Sequence, residues 1–395
     1  MCKTLCRALL ACALSCAALA HADEQPGVVR LGAILSLSGP VAHLGDTQLK
    51  TLQIQVDAVI AKGGILTRKL ILRHYDDGGN ARTAAELAAR FTERDHDNPD
   101  HTDFVIGGTT TETSLAIMPT LQKAGIPFLS LGSGSRIVDP PHHLVFKTPH
   151  SERAGVRALL ADMKKRGYTR IALLAEDSEF GKEYAKEMRD QTGRNSLGRR
   201  TYGVGVEIDQ NYATNESDIA LKVARLKSTG GLQAIAVLGL GPWPAAVSKA
   251  IRESGMTLPL YHSHGVATDE FIRIAGKHAE GVRLPGPGIA VADLLPASDP
   301  QQPVIKAFIA AYRGRYGEPP DAFSGYAYDA LMLAIEAIER VDTLNFAEVS
   351  RSIGLTRRYV GISGIYEDSP GVVYSLNPAA LRMLEVRDGS WRIAD

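Results

Sequence analysis

The sequence predicts an α/β protein built as two doubly wound lobes, and three observations lead there. Short apolar β-runs alternate with longer helical stretches, the spacing that parallel strands with crossover helices require. The alternation runs through two rounds, the second opening near residue 152. Loops rich in Gly, Ser and Thr recur at the carboxyl ends of the β-runs, where open α/β sheets place their ligands. A chain of 395 residues with 45% hydrophobic side chains is long enough for about two domains with separate cores.

In the first round, Val28 to Leu35 is an apolar strand, followed by the loop SLSGPVAHLGD (36–46) and a helix over Thr47 to Ala61. Leu70 to Tyr75 is the next strand, stopped by the turn DDGGN (76–80), and Ala81 to Arg94 reads as a helix. A strand at Phe104 to Gly107, a helix at Thr111 to Ala124 and a strand at Ile126 to Leu131 continue the pattern. The second round has helices at Glu152 to Arg166, Phe180 to Gln191, Ser217 to Lys227 and Pro244 to Ser254. Its strands are Arg170 to Ala175, Ala234 to Leu238 and Leu258 to His262. Past residue 285 the composition changes: LPGPG (284–288) and LLPASDPQQP (294–303) break the rhythm. Helices over Pro303 to Tyr316 and Phe323 to Arg340 follow, then a β-rich tail from Val360 to Asp395 with turn signals DSPG and RDGS.

The amino-terminal segment predicts export. Lys3 and Arg7 form a positive n-region, Leu5 to Ala20 is an apolar stretch, and Ala20-His21-Ala22 is a small-residue cleavage site, giving a secretory signal over 1–22. A membrane anchor would need a longer apolar run; Leu9-Leu10-Ala11-Cys12 also loosely fits a lipoprotein signal. All four cysteines (Cys2, Cys6, Cys12, Cys16) lie in this segment, so the mature chain has no cysteine nucleophile and no thiolate metal site. A net charge of +0 without long basic blocks gives no reason to expect nucleic acid or a membrane surface as partner.

Catalytic and cofactor motifs are missing. No GxxxxGK[ST] loop occurs, and Gly239-Leu240-Gly241 lacks the third glycine of a dinucleotide fingerprint. No G-x-S-x-G elbow is present. His262-Ser263-His264 and His142-His143 lack a third ligand at zinc spacing, and Asp76-Asp77 and Glu176-Asp177 are adjacent loop acids of the kind that cap or face solvent. The expectation is a protein without catalysis, metal or cofactor. The loop GGTTTETS (107–114), where strand hands over to helix, is the positive signal. Either its hydroxyls cap the helix, or hydroxyls and free N–H groups together seat an anion such as a carboxylate.

These loops resemble those of the leucine/isoleucine/valine-binding protein family, the type I periplasmic solute receptors of ABC importers. The carriers are VRLGAILSLSGPVAHLGD (29–46), AKGGI (61–65), HYDDGGN (74–80), FVIGGTTTETS (104–114), AGIPFLSLGSGS (124–135), EDSEFGKE (176–183) and HSHGVATDEF (262–271). The resemblance implies two lobes joined by a three-segment hinge that closes on a ligand in the interlobe cleft. The crossings are expected near Thr148 to Ser151, Val282 to Pro285 and Arg358 to Gly361. Lobe 1 would then be 23–148 with 285–358, and lobe 2 would be 149–284 with 359–395.

By the same resemblance Thr111 matches the hydroxyl that holds the ligand carboxylate, and Gly132 a position that binds through its backbone. A family threonine falls on Gly134, beside Ser133, and aromatic wall positions become Leu44 and Phe180, with Trp243 near a third. Amino-acid-binding members generally place a glutamate where this chain has His264, which supplies no fixed negative charge. That departure implies a small carboxylate without an ammonium group, an aromatic or other organic acid, with a branched-chain amino acid as the alternative ligand. The implied partner is an ABC permease in the inner membrane, served by a periplasmic monomer; a sensory input domain is the lesser alternative.

Overall fold

The computed structural model describes residues 27–93, 100–369, 372–376 and 380–395. The expected export signal lies outside them, as do Arg94 and part of the DSPG turn. The first round forms β1 (Val28–Leu35), α1 (Ala42–Ala61), β2 (Lys69–Asp76), α2 (Ala81–Phe91), β3 (Phe104–Gly107), α3 (Thr111–Ala124), β4 (Phe128–Ser130) and β5 (Val145–Lys147). These strands make one parallel sheet in the order β2-β1-β3-β4-β5. The second round forms α4 (Glu152–Lys165), β6 (Arg170–Glu176), α5 (Glu179–Thr192), β7 (Gly205–Tyr212), α6 (Glu216–Lys227), β8 (Ala234–Leu238), α7 (Trp243–Glu253), β9 (Leu260–His262), α8 (Asp269–Ala275) and β10 (Arg283–Gly286). The chain then runs through α9 (Gln301–Tyr316), α10 (Ala322–Val341), α11 (Phe346–Gly354), β11 (Tyr359–Val360), β12 (Ile365–Ser369), β13 (Val372–Leu376), β14 (Arg382–Arg387) and β15 (Ser390–Ile393).

The central strands read as unbroken apolar runs because helices cover both faces of each sheet. Every residue of β3 and β8 is buried, and so is all of β6 after Arg170. Strand β7 alternates buried and exposed positions, as an edge strand does, and its polar residues (GVEIDQNY) hid it from a search for apolar runs. Helix α10 packs along α1, so the late helices return to the first lobe. Asp321 starts α10 by accepting from the N–H groups of Phe323 and Ser324 at 2.9 and 3.0 Å.

Strand pairing moves two of the expected boundaries. Strand β10, including Pro285 and Gly286, belongs to the second sheet, whose order is β15-β14-β10-β9-β8-β6-β7. The crossing expected at Val282 to Pro285 therefore comes later. Pro285 is tolerated there because β9 pairs with β10 only at Tyr261 and Arg283, so the missing N–H removes no ladder bond on that side. The tail 359–395 also divides. Strands β14 and β15 join the second sheet, while β11, β12 and β13 form a separate antiparallel sheet. Tyr366 ties that small sheet to the first crossing, its hydroxyl donating to the Thr148 carbonyl at 3.1 Å and to Asp329 at 3.1 Å. A single reading of the tail as β-rich could not separate the two sheets, since turn signals mark strand ends and not strand partners.

Both main sheets have a point where strand order reverses. In the first it lies at β1, between β2 and β3; in the second at β6, between β7 and β8. Loops leave such a point in opposite directions and open a crevice. The two crevices face each other across the lobes.

Candidate ligand-binding cleft

The loop after β3 sets one wall. Gly108 turns with φ of 65°, and a Cβ there would stand 2.2 Å from the Ser114 hydroxyl, so the turn needs glycine. Thr110 is the N-cap of α3: its Oγ1 accepts from the Thr113 N–H at 3.2 Å, and its own N–H donates to Thr113 Oγ1 at 3.2 Å. With the cap supplied by Thr110, Thr111 is left for another role. Its Oγ1 accepts from the Gly134 N–H at 3.1 Å, which leaves the hydroxyl proton to donate. The N–H groups of this first helical turn have no intrahelical acceptor. The wall thus offers neutral donors, with Glu112 of the same helical turn as its acid.

Two cavities lie against it. The larger, about 230 Å³, is lined by Pro40 and Val41 after β1, Thr110 to Glu112 after β3, Glu176 to Ser178 after β6, and Leu240, Pro242 and Trp243 after β8, with Phe180. These are the loops of both reversal points. The smaller, about 10 Å³, shares Thr110, Thr111, Phe180 and Leu240 with it and adds Ser133, His264, Phe323 and Tyr326. No Lys or Arg is among the described residues lining either cavity.

Three acids line the larger cavity, Glu112, Glu176 and Asp177, and Glu176 is the most buried of them. It closes β6, is only 7% exposed, and its Oε2 accepts from the Leu240 N–H at 2.8 Å. Burial pushes its carboxyl up to about 7, the Leu240 bond opposing and Glu112 adding to the rise. Asp177 in the same loop pairs with Lys182 at 2.9 Å, and Glu112 accepts from the Glu179 N–H at 3.2 Å. Glu176 has no ion-pair partner among the described residues. His264 follows β9 and is 3% exposed; burial, with the Lys147 charge adding, pulls its imidazole down to about 3, so it is neutral at pH 7. His262 is separated from it because β9 ends there. His262 Nε2 meets Ser248 Oγ at 2.8 Å, and its ring packs on Phe271 inside the second lobe.

The lobes are closed. Ser133 Oγ donates to Glu152 Oε1 at 3.0 Å and Ser135 Oγ to Glu152 Oε2 at 3.2 Å. The Ser135 N–H donates to Glu183 Oε2 at 2.9 Å, and Arg136 pairs with Glu183 at 2.6 Å and with Glu179. Lys147 is buried behind this contact and donates to the Ser133 and Pro149 carbonyls at 2.7 and 3.1 Å.

The candidate residues therefore divide. Thr111 and Phe180 line both cavities, Trp243 the larger, and Ser133 and His264 the smaller. Gly134 bonds Thr111 but lines neither. Gly132 also lies behind the wall, its N–H donating to Ser130 Oγ at 3.0 Å. Leu44, expected on the wall, is fully buried in the hydrophobic core and lines neither cavity. Leu240 and Glu112 are the residues sequence reasoning passed over; Glu176 it read as a loop acid beside Asp177, and as a first acid to test if the ligand carries an ammonium. The signal for Glu176 was an acid ending the apolar run RIALLAE, where a strand buried on both faces delivers its last side chain into the crevice.

Two closed α/β lobes with opposed reversal-point crevices define a solute-binding protein of the hinge-closing class. A family model described as Periplasmic binding protein matches residues 28–365, and the chain belongs to that family. Among curated relatives, a Leu/Ile/Val/Thr-binding protein of Salmonella typhimurium is 25% identical over 321 residues, covering 81% of this chain and 80% of the relative. The Leu/Ile/Val-binding protein of Escherichia coli K12 is 24% identical over 328 residues, 82% of each. Among solved structures, an extracellular ligand-binding receptor from Rhodopseudomonas palustris HaA2 superposes with a TM-score of 0.83 at 23% identity, covering 93% of this chain and 99% of that one. A branched-chain amino acid transporter substrate-binding protein from Streptococcus pneumoniae, in complex with isoleucine, gives a TM-score of 0.78 at 20% identity, with 92% and 97% covered. At these identities the structural likeness concerns the fold.

Proposed function

We propose that the chain is an extracytoplasmic receptor of an ABC importer that captures a small α-amino acid as its zwitterion and presents the closed form to a permease in the inner membrane. The observation that carries the choice of ligand is Glu176, a buried acid without a cation, across one cavity from the neutral donors around Thr111. The ligand carboxylate takes the Thr111 hydroxyl and the first-turn N–H groups of α3. The ligand ammonium pairs with Glu176. Phe180, Leu240, Trp243 and Val41 supply an apolar surround for the side chain.

An amine-free acid would follow from His264 alone, since a neutral imidazole offers an ammonium no negative charge. It fits Glu176 poorly: closing over a bare carboxylate would add an anion to a cavity already lined by Glu112, Glu176 and Asp177, with no Lys or Arg among the described lining residues. The names of the curated relatives support the amino-acid reading as well. Capture requires the ligand to favour the closed state over the open one, and a zwitterion bridging the lobes does so.

A thermal-shift screen of protein refolded to strip carried-over ligand tests the reading. Leucine, isoleucine, valine and threonine are compared with 4-methylpentanoate, benzoate and succinate. The expected result is a raised melting midpoint with one or more amino acids and none with the amine-free acids. A shift by benzoate or 4-methylpentanoate and not by any amino acid would reject it.

A further inference from the structure

The smaller cavity is shaped for one polar atom. Its volume of about 10 Å³ is room for roughly one water-sized group. His264 lines it, and its Nε2 is buried and has no hydrogen-bond partner among the described residues. The rest of the ring is fixed. Phe180 meets it edge-on with centroids 5.6 Å apart, Tyr184 lies 5.5 Å away, and His150 sits 6.3 Å away on the hinge side. Its Nδ1 is 3.4 Å from the Tyr184 hydroxyl. Gly155 of α4 makes space for this pair: a Cβ there would stand 1.9 Å from the Tyr184 hydroxyl and 3.1 Å from His264 Nδ1. An imidazole locked on every side but one is preorganised to make a single hydrogen bond in a single direction.

Other polar groups of this cavity have their own partners. The Ser133 hydroxyl is held by Glu152, and Thr111 Oγ1 is held by Gly134. The Tyr326 hydroxyl lies 3.4 Å from His150 Nδ1. Closing over an all-hydrocarbon side chain would strand His264 Nε2, and a buried polar atom left unmet weakens binding. Thr111, Phe180 and Leu240 border both cavities, so a ligand anchored at Thr111 has this space beside it.

We infer that the smaller cavity is a specificity subsite, and that the preferred amino acid carries a small uncharged hydrogen-bonding group on its side chain, a hydroxyl or amide, bonded to His264 Nε2. The inference rests on the amino-acid reading above and narrows it. With the Tyr184 hydroxyl donating to Nδ1, Nε2 carries the proton and donates to the ligand oxygen. A charged side-chain group is disfavoured, because no countercharge lines the space.

The test is isothermal titration with isosteric pairs. Threonine and valine differ by hydroxyl for methyl; asparagine and leucine have similar branching with and without polar atoms. Wild-type protein is expected to bind threonine about tenfold or more tighter than valine, with the same order for asparagine over leucine. His264→Phe should bring the threonine-to-valine ratio to one or below, and His264→Gln should restore part of it. Valine binding as well as threonine in wild-type protein, which needs no variant to fold, would overturn the inference and leave the amino-acid reading standing. A threonine preference unchanged by His264→Phe would also overturn it. Failure of every amino acid to bind would overturn the amino-acid reading itself, and the subsite with it.

Discussion

The two walls of the cleft are built on the same strand-loop-helix plan and carry opposite chemistry. The first-lobe wall, after β3 and β4, presents threonine hydroxyls, serine hydroxyls and backbone N–H groups, with one half-buried acid, Glu112. The second-lobe wall, after β6, β8 and β9, holds a buried acid, a neutral imidazole and the aromatic rings of Phe180 and Trp243. A helix N-terminus tolerates an anion without a lysine or arginine. An ammonium needs a real negative charge, and only the second lobe supplies one deep in the cleft. Dividing a zwitterion between two lobes means that neither half-site binds well alone, so affinity appears with closure.

The largest effect should come from the acid. Glu176→Gln removes the countercharge while keeping an oxygen for the Leu240 N–H, and truncating one partner of a buried charge pair costs about 2–5 kcal/mol. Amino-acid affinity measured by titration calorimetry should fall about 100-fold or more. The same substitution should raise the melting point of the empty protein at pH 8, because it deletes a buried charge that nothing neutralises. Equal loss of affinity and stability would instead mark Glu176 as a structural brace.

Next comes the first-lobe wall. Thr111→Ala should weaken amino-acid binding about tenfold, as a hydrogen bond to a charged group is worth about 1.5–3 kcal/mol, and Thr111→Ser should recover most of it. If Thr111→Ala binds as wild type does, the carboxylate sits elsewhere and the comparison of walls collapses. The smallest effect is expected at the exposed interlobe pair: Arg136→Ala loses its contacts with Glu183 and Glu179 at the mouth. Surface pairs contribute about 0–1 kcal/mol. Affinity should therefore change a few-fold at most, and the difference should shrink at high salt.

How much of this was legible in the sequence follows the same division. The first wall stood out because glycines and hydroxyls cluster in GGTTTETS and LGSGSR, and turn and cap chemistry is local. Even there, local reasoning could not assign roles: Thr110 takes the cap and Thr111 faces the cleft only because α3 starts where it does. On the second wall, Glu176 reads like any loop acid beside Asp177. What distinguishes it is burial under the β8 loop, a contact made 64 positions away in the chain. The alternation of strands and helices was read correctly because buried parallel strands are apolar throughout. Strand β7, the short β5 and helix α11 were missed, being edge, short or locally polar elements. That β10 belongs with the second sheet, and that β11 to β13 part from β14 and β15, depends on which strand pairs with which, which no local pattern encodes.

The most direct measurement is the proton balance of binding. In the closed empty cleft the Glu176 carboxyl is raised to about 7, above its ordinary value of 4.5. It holds its proton more readily than a solvated acid, so its ionisation costs the empty closed form stability as pH rises from 4.5 towards 7. An ammonium paired with it reverses that and lowers the value. Titration of the best-binding amino acid at pH 6, in two buffers of different ionisation enthalpy, should show protons released on binding and affinity rising towards pH 8. Glu176→Gln should abolish both effects. Proton release that is zero in wild-type protein, or the same in Glu176→Gln, would contradict the assignment of Glu176 as the ammonium partner.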